Sequence, residues 1–359
     1  MQERDWLEKL FQKSLEKARP DFEYTDENIE KLSEIIEESM PSIITMFEKQ
    51  VHKKSKAILK QNRKDISKFR KRLNKTWKSA IDQLEIFISF NLEYGVIVSD
   101  SYRQENPNDV KFEALLRLHA RSCQIACEIL ELIKGGFADG AMARWRSLYE
   151  ISVLANFLEK GTEELCQRYL DYYFVENYFE TLEYQKNCER LGYEPLSEEE
   201  IEESKNLVEA QKEKYGNDFG KLYGWVGDIL PKRKWNFAGI EETIEFKCMR
   251  SFYKMANNSV HSGAKGFIFT LGQYDSNEVM LAGPSNYGFA DPGQNAAFSL
   301  FQTTLTLSEF ETYLEDSLYI KIGMNMLDKL SEEFVRIQKK IEAEEDELRN
   351  TTHNNVYKK

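Results

Sequence analysis

Histidine and proline are scarce in this sequence, with four and seven residues respectively among 359. Few prolines leave long helices uninterrupted, and a charged share of 31% suits amphipathic helices better than a sandwich or barrel. The five cysteines (Cys123, Cys127, Cys166, Cys188, Cys248) are odd in number and scattered, without the paired spacings of a zinc site. Reduced thiols in a reducing, cytoplasmic setting are expected. No apolar run approaches the roughly 20 residues of a bilayer span. The opening MQERDWLEKLFQK is charged within three residues and does not read as a signal peptide. Glycine-rich phosphate loops and fixed-period repeats are missing as well, and no motif calls for a cofactor.

What is present is an apolar share of 41%, enough for a sizeable core, and a net charge of -12 with a local reversal. Residues 53–78 hold twelve Lys/Arg against one acid, Asp65, so this segment carries +11 by side-chain count and the remainder -23. Lys64, Lys68, Arg70, Lys71, Arg72 and Lys75 are the phosphate-binding candidates, with Phe69 and Trp77 available for stacking. The plainer alternative is a solvated arm that complements the acidic body or a second subunit.

Apolar periodicity predicts an all-α, multi-helix bundle, with at least roughly 60% of residues helical. A long helical N-terminal arm (1–105) precedes a main domain (106–347) and a polar tail (348–359). Short helices are expected over 4–18 and from Thr25 or Asp26, with Pro41 a kink. A break is expected at Gly95 and Asn106-Pro107-Asn108. Helices follow near 109–134 (stopped by Gly135-Gly136), 139–159, 162–190, 197–214, 241–258, 293–316 and 317–347. Ser197 with Glu200 forms a capping box. One small β-hairpin at most fits between Gly266 and Leu281.

Two constellations carry chemistry. His261 ends a helix in Tyr253-Lys-Met-Ala-Asn-Asn-Ser-Val-His-Ser-Gly263, where the helix dipole favours an imidazolium and suits proton exchange. The alternative is that Asn257, Asn258 and His261 cap the helix and support the next loop. In Ala143-Arg-Trp-Arg-Ser-Leu-Tyr-Glu150, Arg146 and Glu150 stand one turn apart on an apolar helix, as an ion pair or an anion site. We expect both to point inward, near the Asn258–His261 turn. His119 reads as a helix-surface or boundary residue; His52 borders the basic run and His353 lies in the tail. Glu150 and Asp171 do not complete a metal set, so no metal is expected.

The Arg146-Ser-Leu-Tyr-Glu150, Arg168-Tyr-Leu-Asp-Tyr172 and Asn258-Ser-Val-His261-Ser-Gly263 runs make residues of about 112–285 similar to a bacterial family of unknown function numbered 5677, which implies a helical fold and no activity. Asn257-Asn-Ser-Val-His261 also resembles, distantly, the Arg-Asn-x-x-x-His signature of HEPN-type helical ribonucleases found in toxins and antiviral systems. That resemblance implies a metal-independent endoribonuclease with His261 as catalytic histidine and Asn257 as the motif asparagine. The motif arginine is Ala256 here, so the cation is to be sought among Arg146, Arg144, Arg250 and Lys254; Arg146 is taken as the phosphate-binding cation, with Asn257 and Asn258 as orienting groups. The rival reading is a non-catalytic helical sensor or scaffold. RNA, a protein partner or a second copy of the chain are the partners these readings leave, and a membrane is not among them.

Overall fold

The structure, a computed structural model, describes residue 9 and residues 32–244, 249–261, 263–274, 280–310 and 314–356. The short helix expected over 4–18 therefore lies outside the described residues apart from Lys9, which is helical. Helix accounts for 84% of the structure, and among the described residues there is no strand. The hairpin expectation is corrected in its first half: Ala264–Ile268 is a turn of helix. Much of the second β-prone run lies outside the described residues.

The elements are α1 (Leu32–Glu105), α2 (Val110–Gly135), α3 (Ala138–Glu159), α4 (Glu163–Asp171), α5 (Tyr173–Leu191), α6 (Glu198–Tyr215), α7 (Phe237–Glu241), α8 (Arg250–Val260), α9 (Ala264–Ile268), α10 (Ala290–Leu305) and α11 (Leu314–Val356). Single 3₁₀ turns fill the stretch between α6 and α7. No described helix is long and apolar enough to cross a membrane.

The chain divides into two compact units, Met1–Lys71 and Arg72–Lys359. In the first, the described chain from Leu32 onward is helix, unbroken at Pro41. None of the residues there whose side chains are described is fully buried, and Lys53 to Lys71 present their charges to solvent.

The second unit holds a core. Residues 73–105, assigned to the arm on sequence, bury Leu73, Trp77, Leu84 and Phe87 within it. Trp77 is therefore no stacking platform. Its ring centroid lies 5.2 Å from that of Phe289 and 5.9 Å from that of Phe334, and its Nε1 donates to the Asn286 carbonyl at 3.2 Å.

Gly95 does not break α1. A Cβ there would sit 2.3 Å from the His119 ring, so glycine is what lets α1 and α2 approach. His119 is correspondingly a core residue, 2% exposed, with Nε2 3.2 Å from Thr304 Oγ1. Burial lowers its pKa to about 4.

α2, α3 and α10 pack on one another, and α8 and α7 lie against α3. Asp109 caps α2 by accepting from Phe112 N at 2.8 Å, and Gly136 ends it at φ 88°. The Ser197/Glu200 capping box opens α6. The helix expected over 162–190 is two helices, α4 and α5, hinged at Tyr172, whose hydroxyl donates to the Lys221 carbonyl at 2.9 Å. The polar tail expected over 348–359 is helical through Val356, and Arg349 donates to the Tyr274 carbonyl at 2.9 Å.

A composite arginine–histidine cluster as the candidate active site

α3 is apolar on the face that carries Met142, Trp145, Leu148 and Tyr149, all of them buried. Trp145 Nε1 donates to Ser299 Oγ of α10 at 2.9 Å, and the Tyr149 hydroxyl donates to Glu241 Oε1 of α7 at 2.7 Å. These contacts fix the rotation of α3 about its axis. Arg146 and Glu150 consequently share the edge that faces α8. Arg146 Nε donates to Glu150 Oε1 at 3.1 Å, and the Tyr253 hydroxyl of α8 donates to the same oxygen at 2.6 Å. The guanidinium lies over the Tyr253 ring, its carbon 4.9 Å from the ring centroid.

The fourth member is His261, exposed at the C-terminal end of α8. Its Nε2 lies 3.2 Å from Arg146 Nη1. A guanidinium has no acceptor, so the contact is a hydrogen bond in the tautomer whose Nε2 is the acceptor nitrogen. The backbone holds the ring in place: His261 N donates to the Asn257 carbonyl at 2.8 Å. Gly266 then brings α9 back against Asn258, where a Cβ would come within 2.2 Å of the Asn258 carbonyl oxygen. Asp139, in the first turn of α3, accepts from Leu271 N at 2.9 Å and Gly272 N at 3.2 Å, tying the following loop to α3. Between that loop and the start of α3 lies a cleft of about 420 Å³, lined in part by Asn258, His261, Asp139 and Gly140.

Electrostatics favour the charged guanidinium and the neutral phenol of the cluster. Burial by itself would lower the Arg146 pKa, but hydrogen bonds to Glu150 and Tyr253 outweigh it and hold the guanidinium above its usual value. Burial, then the hydrogen bond to Glu150, pushes the Tyr253 phenol up to about 12, so it remains a donor.

Of the cations named from sequence, Arg146 is the one brought to His261. Arg144 pairs with Glu128 and Arg250 with Glu241, while Lys254 is exposed. Ala256 is fully buried, so an arginine at the motif position would be desolvated there. Asn257 Oδ1 is buried without a hydrogen-bond partner, and Asn258 borders the cleft. Tyr253 belongs to the sequence motif without a role assigned from sequence; its signal is its place two turns before His261 on the same helix. Asp171 takes its contacts from Lys214, Tyr215 and Gln167. Among the described residues no group of three or more His, Cys, Asp or Glu is placed to hold a metal ion.

On the basic run, Lys64, Lys68, Arg70 and Lys71 of the first unit are exposed, as are Arg72 and Lys75 of the second. Among the described residues the ion pair on this run is Lys78 with Asp82.

These features define an all-α domain with a polar cluster assembled from α3, α8 and the turn that ends α8. Residues 112–278 match a family of unknown function, DUF5677, and this segment, a little under half of the chain, contains Arg146, Glu150, Tyr253 and His261. No curated protein and no solved structure matches the chain.

Proposed function

We propose that the domain is an HEPN-like, metal-independent endoribonuclease in which the phosphate-binding cation comes from α3 instead of from the helix that carries the histidine. The observation that carries this reading is the 3.2 Å approach of Arg146 Nη1 to His261 Nε2. A cation beside an imidazole is the pair that metal-free RNA cleavage requires. An incoming phosphodiester draws the guanidinium to its own oxygens and frees Nε2. His261 then accepts the 2′-hydroxyl proton as the 2′-oxygen attacks phosphorus. The bond to the 5′-oxygen breaks and that oxygen takes up a proton from water, leaving a 2′,3′-cyclic phosphate and a 5′-hydroxyl, and His261 returns its proton to the solvent. Glu150 and Tyr253 hold Arg146 in position, and Asn257 and Asn258 orient the histidine turn. The exposed Lys64, Lys68, Arg70, Lys71, Arg72 and Lys75 supply sequence-independent affinity for RNA. A cytoplasmic defence or toxin effector in a bacterium is the setting that fits such an activity.

A second reading has its own observation. Arg146 already gives Nε to Glu150, Nη1 to His261 and its face to Tyr253, a closed set that suits a polar clasp joining α3 to α8 in a non-catalytic scaffold. The end chemistry separates the two. The nuclease reading expects purified protein to cleave single-stranded RNA in excess chelator, leaving cyclic phosphate ends and sparing DNA of the same sequence, because DNA lacks the 2′-hydroxyl. Intact RNA at high enzyme concentration, with or without added divalent metal, leaves the clasp.

A further inference from the structure

A second cleft, of about 560 Å³, opens along α3 and is walled by α2, α4 and the turns between α6 and α7. It lies within the size range of small-molecule sites. Five of its lining residues are aromatic: Tyr169, Tyr172, Tyr223, Trp225 and Phe237. The rings are fixed before any ligand arrives. Tyr169 stands edge-on to Trp225 with centroids 5.1 Å apart, and the Tyr172 hydroxyl donates to the Lys221 carbonyl and accepts from Tyr223 N at 3.2 Å. Tyr223 holds φ 57°, the one non-glycine residue with positive φ among those described. A left-handed tyrosine is an uncommon and strained arrangement, of the kind that gathers at ligand sites.

Charge is placed around these rings with both signs. Arg121 of α2 and Arg144 of α3 line the cleft. Arg121 Nη1 donates to Gln124 Oε1 and Arg144 Nε to Glu128, so each guanidinium keeps further N–H groups beyond those contacts. Glu150 and Glu176 line it too. Burial, followed by the nearby Glu180 charge, pushes the Glu176 carboxyl above its usual value, which suits it to share a proton with a heterocycle edge. Four charged residues exclude a purely apolar ligand. A flat ring with hydrogen-bonding edges, joined to an anion, satisfies rings, carboxylates and guanidinia together.

We propose that this cleft binds a nucleotide, with the base against Tyr169 and Tyr223, its N–H edge toward Glu176, and its phosphate toward Arg121 and Arg144. The site does not depend on the nuclease reading. It does adjoin the composite cluster through one residue, because the Glu150 carboxylate that borders the cleft is also the acceptor for Arg146 and Tyr253.

Calorimetric titration of the full chain with adenosine, guanosine, cytidine and uridine 5′-monophosphates, with ribose 5-phosphate, and with a 2′-deoxy dinucleotide tests the proposal. At least one mononucleotide is expected to bind with a Kd of about 1 mM or tighter, and ribose 5-phosphate about tenfold more weakly. Tyr169→Leu is expected to weaken the mononucleotide about tenfold by removing a stacking face. Arg144→Gln, on the rim and harmless to the core, is expected to weaken the mononucleotide while leaving the parent nucleoside unchanged. A dinucleotide that binds more tightly than the mononucleotide identifies the ligand as a base within an RNA chain; equal affinities identify a free nucleotide. His261→Ala is expected to leave all these affinities as they were, so the cleft and the nuclease stand or fall separately. No heat from any of the four mononucleotides at about 10 mM, or binding unaltered in both variants, overturns the proposal.

Discussion

Arg146 and His261, 115 residues apart in the chain, meet at 3.2 Å across the α3–α8 interface. Each is held from behind. Glu150 and Tyr253 fix the guanidinium, and the Asn257 carbonyl with the Gly266 approach fixes the turn that carries the imidazole.

Tyr253→Phe tests the hold on Arg146. The ring under the guanidinium survives, and the hydroxyl that donates to Glu150 is removed. The expected cost in stability is about 1 kcal/mol by denaturant titration, the net worth of one hydrogen bond. If Arg146 binds phosphate, RNA cleavage falls further than that cost accounts for, with the larger change in KM. Unchanged kinetics in a folded variant removes Tyr253 from the positioning role.

Gly266→Ala tests the turn itself. The added Cβ meets the backbone oxygen of Asn258, which cannot rotate away, so the α8–α9 connection must shift. The expectation is abolished cleavage with a destabilisation of about 1–3 kcal/mol, and displaced His261 ring signals in NMR spectra. Undisturbed His261 signals would mean that the turn does not depend on this approach.

The sequence carried the α3 cluster further than the α8 end. Arg146 and Glu150 are legible because helical spacing sets them one turn apart on an apolar helix. Their place near the His261 turn was expected from the two runs lying in one family segment, with Arg146 as the chosen cation; what sets the other cations aside was not legible. The answer depends on Arg144 and Arg250 being taken by Glu128 and Glu241, both tertiary facts. Trp77 shows a related limit. Basic neighbours on both sides gave it the look of a solvent face, whereas one helix face turns inward from Leu73 onward and buries it. Gly95 shows the same limit. A glycine within a helical pattern signals either a break or a close approach, and the ring of His119 that decides between them arrives from α2.

His119 sets a pH limit on the fold. The folded protein keeps its ring neutral down to about 4, whereas an unfolded histidine protonates near 6.5. Its contribution is therefore complete above pH 6.5 and disappears as pH falls toward 4. Unfolding free energy is expected to drop by about 2 kcal/mol between about pH 7 and about pH 5 from this group. His119→Gln, which does not titrate, is expected to flatten that segment of the profile. An equally steep profile in the variant assigns the decline to other groups.

The basic run predicts a salt signature. Replacing Lys68, Arg70, Lys71 and Arg72 by Gln is expected to lower RNA affinity and to reduce the slope of log K against log salt, by roughly one unit for each phosphate that is no longer neutralised. An unchanged slope returns these residues to the role of a solvated arm.

His261→Ala, read for RNA cleavage and for thermal stability on the same preparation, separates a nuclease from a clasp. His261 is exposed and its side chain touches Arg146, so a proton-transfer role predicts abolished cleavage with a melting temperature close to that of the parent. A parent protein that never cleaves RNA, together with a variant destabilised by about 1–3 kcal/mol, rules out the nuclease and makes the Arg146–His261 contact a structural clasp.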